Sequence, residues 1–188
     1  YIPAVKAILR MEKTLATRAN TRTLFEACLA ALDMLDGVQR KPGDEWRGDQ
    51  YVAQILANEK SAPAVKRQAL RSLRADHPLL TVERLKTLLV DPDDAVRLEA
   101  IRTLRDTPHA AKSDLLLATA DDEKLPEAPR AEAIVGLRGA QAATRRKLLD
   151  WALRGPPVVA HEALRSLRGA PLSAAERAEL TAAKEKGD

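Results

Sequence analysis

Apolar residues recur along most of the chain at alternating three- and four-residue spacing, the pattern of helices with one apolar face. Within this pattern a short motif repeats: an alanine, an apolar residue, two variable residues, a leucine and an arginine. The alanines of the four copies are 31, 33 and 30 residues apart: Ala69, Ala100, Ala133 and Ala163. A period of this length is typical of stacked helix pairs. The pattern therefore predicts that each motif lies on the second helix of a pair.

The segment 91–104 carries the most complete copy of the pattern. Asp91 is predicted to be the N-cap of its helix, and Pro92 to occupy the first helical position, where a missing N–H costs nothing. Arg97 stands three residues before Ala100 and is expected to face the packing side, where an unpaired charge would be costly. We therefore expect Arg97 to bond a carboxylate, either Asp91 or its equivalent in a neighbouring pair.

The run Asp-Pro-Asp-x-x-Val-Arg-x-x-Ala-x-x-x-Leu at 91–104 resembles the second helix of a HEAT repeat, particularly the HEAT-like type first named from phycobilisome lyases. The resemblance implies a structural ladder of Asp91 and Arg97 between stacked repeats. It also implies an all-α fold: a right-handed α-solenoid (superhelix), armadillo-like, of about five HEAT-like helix pairs plus a C-terminal helix. Residues 1–188 are expected to form this single array.

The predicted helices follow one another in pairs along the chain. The first helices of the pairs are expected at about 3–17, 49–58, 81–90, 108–120 and 141–153. The second helices are expected at about 21–35, 62–74, 91–105, 126–138 and 156–168. Ser173 and Glu176 have the spacing of a capping box and predict a last helix from there to about residue 184.

One loop interrupts the regular spacing. Residues 37–48 lengthen the step from Cys28, which takes the place of the recurring alanine, to Ala69, and their glycines, proline and charges predict a loop insertion. Trp46 in this loop has two interpretations. The favoured one is that its indole packs onto nearby helices, and the other is a partner contact flanked by basic residues.

Composition narrows the functional classes. Aromatic residues are 3% of the chain, so the core must come from Leu, Ala and Val packing between helices. Lys and Arg (31) nearly balance Asp and Glu (27), and the net charge of +4 is weak support for nucleic-acid binding. With a single cysteine, Cys28, no disulfide can form within the chain. No apolar run approaches the ~20 residues of a membrane span, and we expect no membrane insertion.

Arginines recur at two outward positions of the predicted second helices, and the resemblance to HEAT arrays places these helices on a concave face. The two basic columns could bind an acidic protein, phosphate groups or a nucleic-acid backbone. The favoured alternative is that they only complement helix dipoles and neighbouring acids. One column contains Arg71, Arg102 and Arg165, and the other contains Arg74, Arg105, Arg138 and Arg168.

No residue pattern indicates catalysis or a bound cofactor. The histidines His77, His109 and His161 are far apart and lack partners at helical spacing, so no metal site is predicted. No Gly-rich phosphate loop, nucleophile elbow or zinc-binding helix motif is present. The chain is therefore not expected to be an enzyme.

Three functions remain, with a non-catalytic scaffold for protein–protein or interdomain interaction as the first. The alternative is a nucleic-acid-binding array similar to HEAT-like DNA glycosylases, although the tryptophans Trp46 and Trp151 lie outside the second helices. A chromophore lyase is suggested by the repeat type alone.

Residues 29–37 and 48–53 also resemble the repeat region of large bacterial proteins with a propeller-type dehydrogenase and a c-type cytochrome domain. This resemblance implies a spacer domain in such a fusion protein, and then a periplasmic location in place of the default cytoplasmic one. Because the sequence begins with Tyr1 rather than Met, we expect it to be part of a longer chain.

Overall fold

The computed structural model describes residues 21–39, 48–139 and 142–187. These residues form ten α-helices and no strand, so the predicted all-α class is confirmed. The predicted helix over 3–17 lies outside the described residues. The helices are α1 (Thr21–Leu35), α2 (Asp49–Ala57), α3 (Pro63–Ser72), α4 (Val82–Leu89), α5 (Asp94–Asp106), α6 (Lys112–Asp121), α7 (Glu127–Val135), α8 (Ala142–Arg154), α9 (Pro157–Leu167) and α10 (Ala174–Gly187).

The chain divides into two compact units, and the division falls inside α5, between Thr103 and Leu104. In the first unit, α3 packs against α2 and also against α1. In the second unit, α7 packs against α6 and α9, while α9 packs against α8, and α10 adds to α8. In each unit, a second helix thus contacts the first helix of its own pair and a second helix of the neighbouring pair: α3 contacts α2 and α1, and α9 contacts α8 and α7. This arrangement is compatible with a helical repeat.

The recurring alanines lie on α3, α5, α7 and α9, and each has no exposed surface: Ala69, Ala100, Ala133 and Ala163. A methyl side chain lets two helices approach closely, and interior packing leaves little room for a larger one. The residue that follows the alanine is also buried in three of the four copies, as Leu70, Ile101 and Ile134. In the fourth copy Leu164 is 46% exposed. The recurring motif therefore marks the packing face of these helices.

The start of α5 differs from the prediction. Asp91 is not its N-cap, because the Asp93 carboxylate accepts the backbone N–H groups of Ala95 and Val96, both at 3.0 Å. The helix begins at Asp94. Asp91 instead accepts the N–H of Asp93 at 3.0 Å, which closes a turn before the helix. Consecutive aspartates can each cap, so the sequence alone does not select between them.

Two other helix ends test the predicted boundaries. The capping box before α10 is confirmed: the Ser173 N–H donates to the Glu176 carboxylate at 2.6 Å, and the Glu176 N–H donates to the Ser173 hydroxyl at 3.2 Å. The helix predicted from residue 108 begins later, at Lys112. A turn closed by the Lys112 N–H on the His109 carbonyl occupies the residues between.

Asp33, buried near the end of α1, binds the chain on both sides of residues 40–47. Its backbone carbonyl accepts the Val38 N–H at 3.0 Å, and its carboxylate accepts the Gly48 N–H at 2.8 Å. Gly48 has a φ of 60°, and a Cβ there would lie 2.7 Å from the Leu29 side chain. Glycine is therefore needed where the chain returns to α1.

Candidate interaction surface

The ladder expected at Asp91 has a different cation. Lys66 of α3 donates to the Asp91 carboxylate at 2.8 Å, and both side chains are buried. Arg97, the predicted partner, instead donates to the backbone carbonyl of Asp91 and pairs with Asp94. The predicted partner of Arg97 is therefore wrong. The Asp91 carboxylate lies before the helix and binds Lys66, which stands on α3 at the position equivalent to Arg97.

Lys66, Arg97 and Arg130 stand at equivalent positions, three residues before a recurring alanine, and all three bind backbone carbonyls. Lys66 lies 3.4 Å from the Glu59 carbonyl, and Arg130 donates to the Ala120 carbonyl at 2.9 Å. Each acceptor lies near the end of the preceding helix or in the turn after it, where carbonyl groups lack helical partners. The shared role of these cations is therefore to close the turn within their own helix pair.

The first predicted column of arginines is largely engaged with acids of the chain. Arg71 donates to Glu99 at 2.6 Å, and this hydrogen bond raises the pKa of Arg71. Arg165 pairs with Glu162, one turn earlier on the same helix, at 3.0 Å. Arg102 is half-buried on α5. This column is therefore not a continuous free basic surface.

The second column divides into two kinds. Arg74 pairs with Asp76 at 3.2 Å. Arg105 pairs with Asp106 at 3.2 Å and with Glu132 of α7 at 2.8 Å. Among the described residues, no carboxylate lies within ion-pair distance of Arg138 or Arg168, and both side chains are exposed.

The residues that follow each arginine in the sequence carry a signal for this division. An acid follows Arg74 by two residues and Arg105 by one, whereas Arg138 and Arg168 are each followed by a glycine. These glycines, Gly139 and Gly169, have φ values of 75° and 77°, the left-handed conformation that ends many helices. The two later helix ends thus combine an exposed arginine with a glycine turn in place of an acid.

Arg138 and Arg168 line one cleft in the second compact unit, together with Arg145 of α8. We name it the arginine cleft; its volume is about 270 Å³. The Arg145 guanidinium lies 3.6 Å from Glu176, and its side chain is 22% exposed. Apolar and small residues complete the wall: Leu148, Ser166, Leu167, Ala170 and Pro171. The cleft therefore brings three arginines together beside apolar and small residues.

The remaining candidates do not form a chemical site. Trp46 lies outside the described residues. His77 is buried, with its Nε2 atom 3.2 Å from Asp49 and its Nδ1 atom accepting the Leu79 N–H at 3.2 Å. Within residues 21–39, 48–139 and 142–187, no group of His, Cys, Asp and Glu is arranged to hold a metal ion. Burial raises the pKa of the Cys28 thiol.

Comparison with known proteins adds no identification. No protein-family model matches the chain, and no curated protein or solved structure matches it either. Among the helices that the structure describes, none combines the length and apolar character that crossing a membrane requires. The functional assignment therefore depends on the geometry of the helix pairs and their charged side chains.

Proposed function

We propose that the chain is a non-catalytic helical-repeat scaffold that binds a protein partner or other domains of its own chain. In this proposal its helix pairs are HEAT-like units of a right-handed α-solenoid. The observation that carries it is the complete burial of the alanines at the repeat period. Repeat arrays of this kind present extended surfaces, and proteins use such surfaces for binding.

The charges of the second helices favour a protein partner over nucleic acid. Binding to a phosphate backbone requires cations that can neutralise several successive phosphates. Here Arg71, Arg74, Arg105 and Arg165 already bind carboxylates of the chain. The positive charge that remains for a partner is local, which suits one or a few acidic side chains.

A titration with two labelled ligands of equal charge tests this proposal. The ligands are a Glu-rich peptide and a short DNA duplex, measured by fluorescence anisotropy from about 50 to about 200 mM salt. We expect the peptide to bind and the duplex not to bind, and a peptide with Gln in place of Glu serves as the control. Tighter binding of the duplex with a steep salt dependence would favour the nucleic-acid alternative. Absence of peptide binding at low salt would overturn the proposed use of this surface.

A further inference from the structure

We propose that the arginine cleft binds the carboxylate of an acidic peptide segment whose neighbouring apolar side chain packs on the cleft wall. This inference rests on the proposed scaffold function and specifies its binding site. The cleft lies within one compact unit, between the ends of α7 and α9 and the side of α8.

Three of the four recurring alanines directly follow a glutamate. Glu99 accepts Arg71 from α3, and Glu132 accepts Arg105 from α5, so each neutralises an arginine of the preceding second helix. Glu162 is the next member on α9, but it pairs with Arg165 of its own helix. Among the described residues, the pairing of a glutamate with an arginine of the preceding second helix therefore does not extend to Arg138.

The three arginines of the cleft stand in different local settings. Arg138 and Arg168 each precede a glycine in the left-handed conformation, Arg138 three residues after the end of α7 and Arg168 directly after the end of α9. Arg145 is oriented by Glu176, whose carboxylate is itself tied to the Ser173 N–H at 2.6 Å. Three cations against one carboxylate leave an excess positive charge in the cleft. An incoming carboxylate would form charge-assisted hydrogen bonds there.

The wall of the cleft favours a peptide as the occupant. It includes Ala170 and Pro171, whose partly exposed apolar surface can contact an apolar side chain. Beyond the cleft, Arg146 on the exposed side of α8 is bound to Glu179 at 2.9 Å and to Asp150 at 3.0 Å. Positive charge is thus concentrated at one place rather than along a track. This geometry suits a single carboxylate beside an apolar group more than a chain of phosphates.

The experiment uses a labelled peptide of alternating Glu and Leu with the intact chain. We expect Arg138→Gln and Arg168→Gln each to weaken binding about tenfold or more, the effect of losing a hydrogen bond to a charged group. Arg168→Lys should lie between wild type and Arg168→Gln, because an ammonium keeps the charge but not the two-pronged geometry. Arg154→Gln is the matched control, since that side chain is 76% exposed on the same unit. Circular dichroism checks that every variant keeps its helix content.

The binding results for wild type and the variants distinguish a failure of the cleft assignment from a failure of the proposed binding surface as a whole. If wild type and both cleft variants bind the peptide as well as Arg154→Gln does, the cleft assignment is overturned while the scaffold function stands. If the wild-type chain binds no acidic peptide, the proposed use of this surface is overturned, and the cleft assignment with it. Duplex DNA binding that disappears in both cleft variants would replace the peptide with a phosphate backbone as the occupant.

Discussion

Helices α3 and α7 occupy the same place in two cycles of the sequence pattern, with the cycle of α5 between them, yet their cations are used differently. Both bury the recurring alanine completely, and both end shortly before an exposed arginine. Three positions can be compared directly. The equivalent residues are Lys66 and Arg130, Arg71 and Val135, and Arg74 and Arg138.

In α3 each of these cations has a carboxylate partner: Asp91, Glu99 and Asp76, respectively. In α7, Arg130 binds a backbone carbonyl, Val135 replaces a cation, and Arg138 has no acid within ion-pair distance among the described residues. The position in the repeat therefore determines burial, whereas the neighbouring acids determine whether a charge stabilises the fold or remains for a ligand.

The largest effect is expected at the buried ion pair of α3. Lys66→Met should lower the free energy of unfolding by about 3–5 kcal/mol, because the Asp91 carboxylate would stay buried without its cation. Urea unfolding followed by circular dichroism measures this loss. Adding Asp91→Asn should recover much of it, since the amide oxygen can still accept the Asp93 N–H.

The equivalent change in α7, Arg130→Met, should cost less stability than Lys66→Met. It leaves the Ala120 carbonyl without its donor but leaves no buried charge unpaired. The free energy of unfolding should therefore fall by about 1–3 kcal/mol. Equal losses for the Lys66 and Arg130 variants would show that the two helices do not differ in the way described.

A smaller effect is expected from placing an acid after Arg168, in the way that Asp76 follows Arg74. Ala170→Asp places a carboxylate two residues after Arg168, as Asp76 follows Arg74. We expect acidic-peptide affinity to fall several-fold in the anisotropy assay, while the free energy of unfolding changes by less than about 0.5 kcal/mol, as for exposed ion pairs. Ala170→Asn is the uncharged control. Unchanged affinity in the aspartate variant would argue against Arg168 as a ligand contact.

The smallest effect is a pH dependence at the start of α10. Hydrogen bonds from Ser173, and then the Arg145 guanidinium, lower the pKa of Glu176. Because the folded pKa lies below the unfolded value, the stabilisation is present above the unfolded pKa and is lost as pH falls through the folded value. The protection factors of the amides in the first turn of α10, measured against their intrinsic exchange rates, should therefore fall as the pH is lowered. Glu176→Gln should lack this acid-dependent step; if its protection factors fall as those of wild type do, another group is responsible.

The class of the fold and most helices could be predicted because apolar spacing and the recurring alanines are local signals. The start of α5 could not, since Asp91, Asp93 and Asp94 can all cap a helix and the choice depends on where Lys66 reaches. The positions of the arginine columns are a local signal, and so are the pairs that Arg74 and Arg165 form with nearby acids. The pairs of Arg71 with Glu99 and of Arg105 with Glu132 could not be predicted, because they join different helices. The glycines after Arg138 and Arg168 distinguish these two arginines in the sequence, but the approach of Arg145 to them depends on the packing of the helices.

Asp33 has a consequence for how this chain can vary. Its carbonyl binds the chain at Val38 and its carboxylate binds it at Gly48, so one residue holds both of these points between α1 and α2. Each doubling of a flexible loop costs only about 0.6 kcal/mol of closure entropy. The junction is therefore a natural insertion point, where foreign sequence of quite different length could be grafted while the neighbouring helices keep their register.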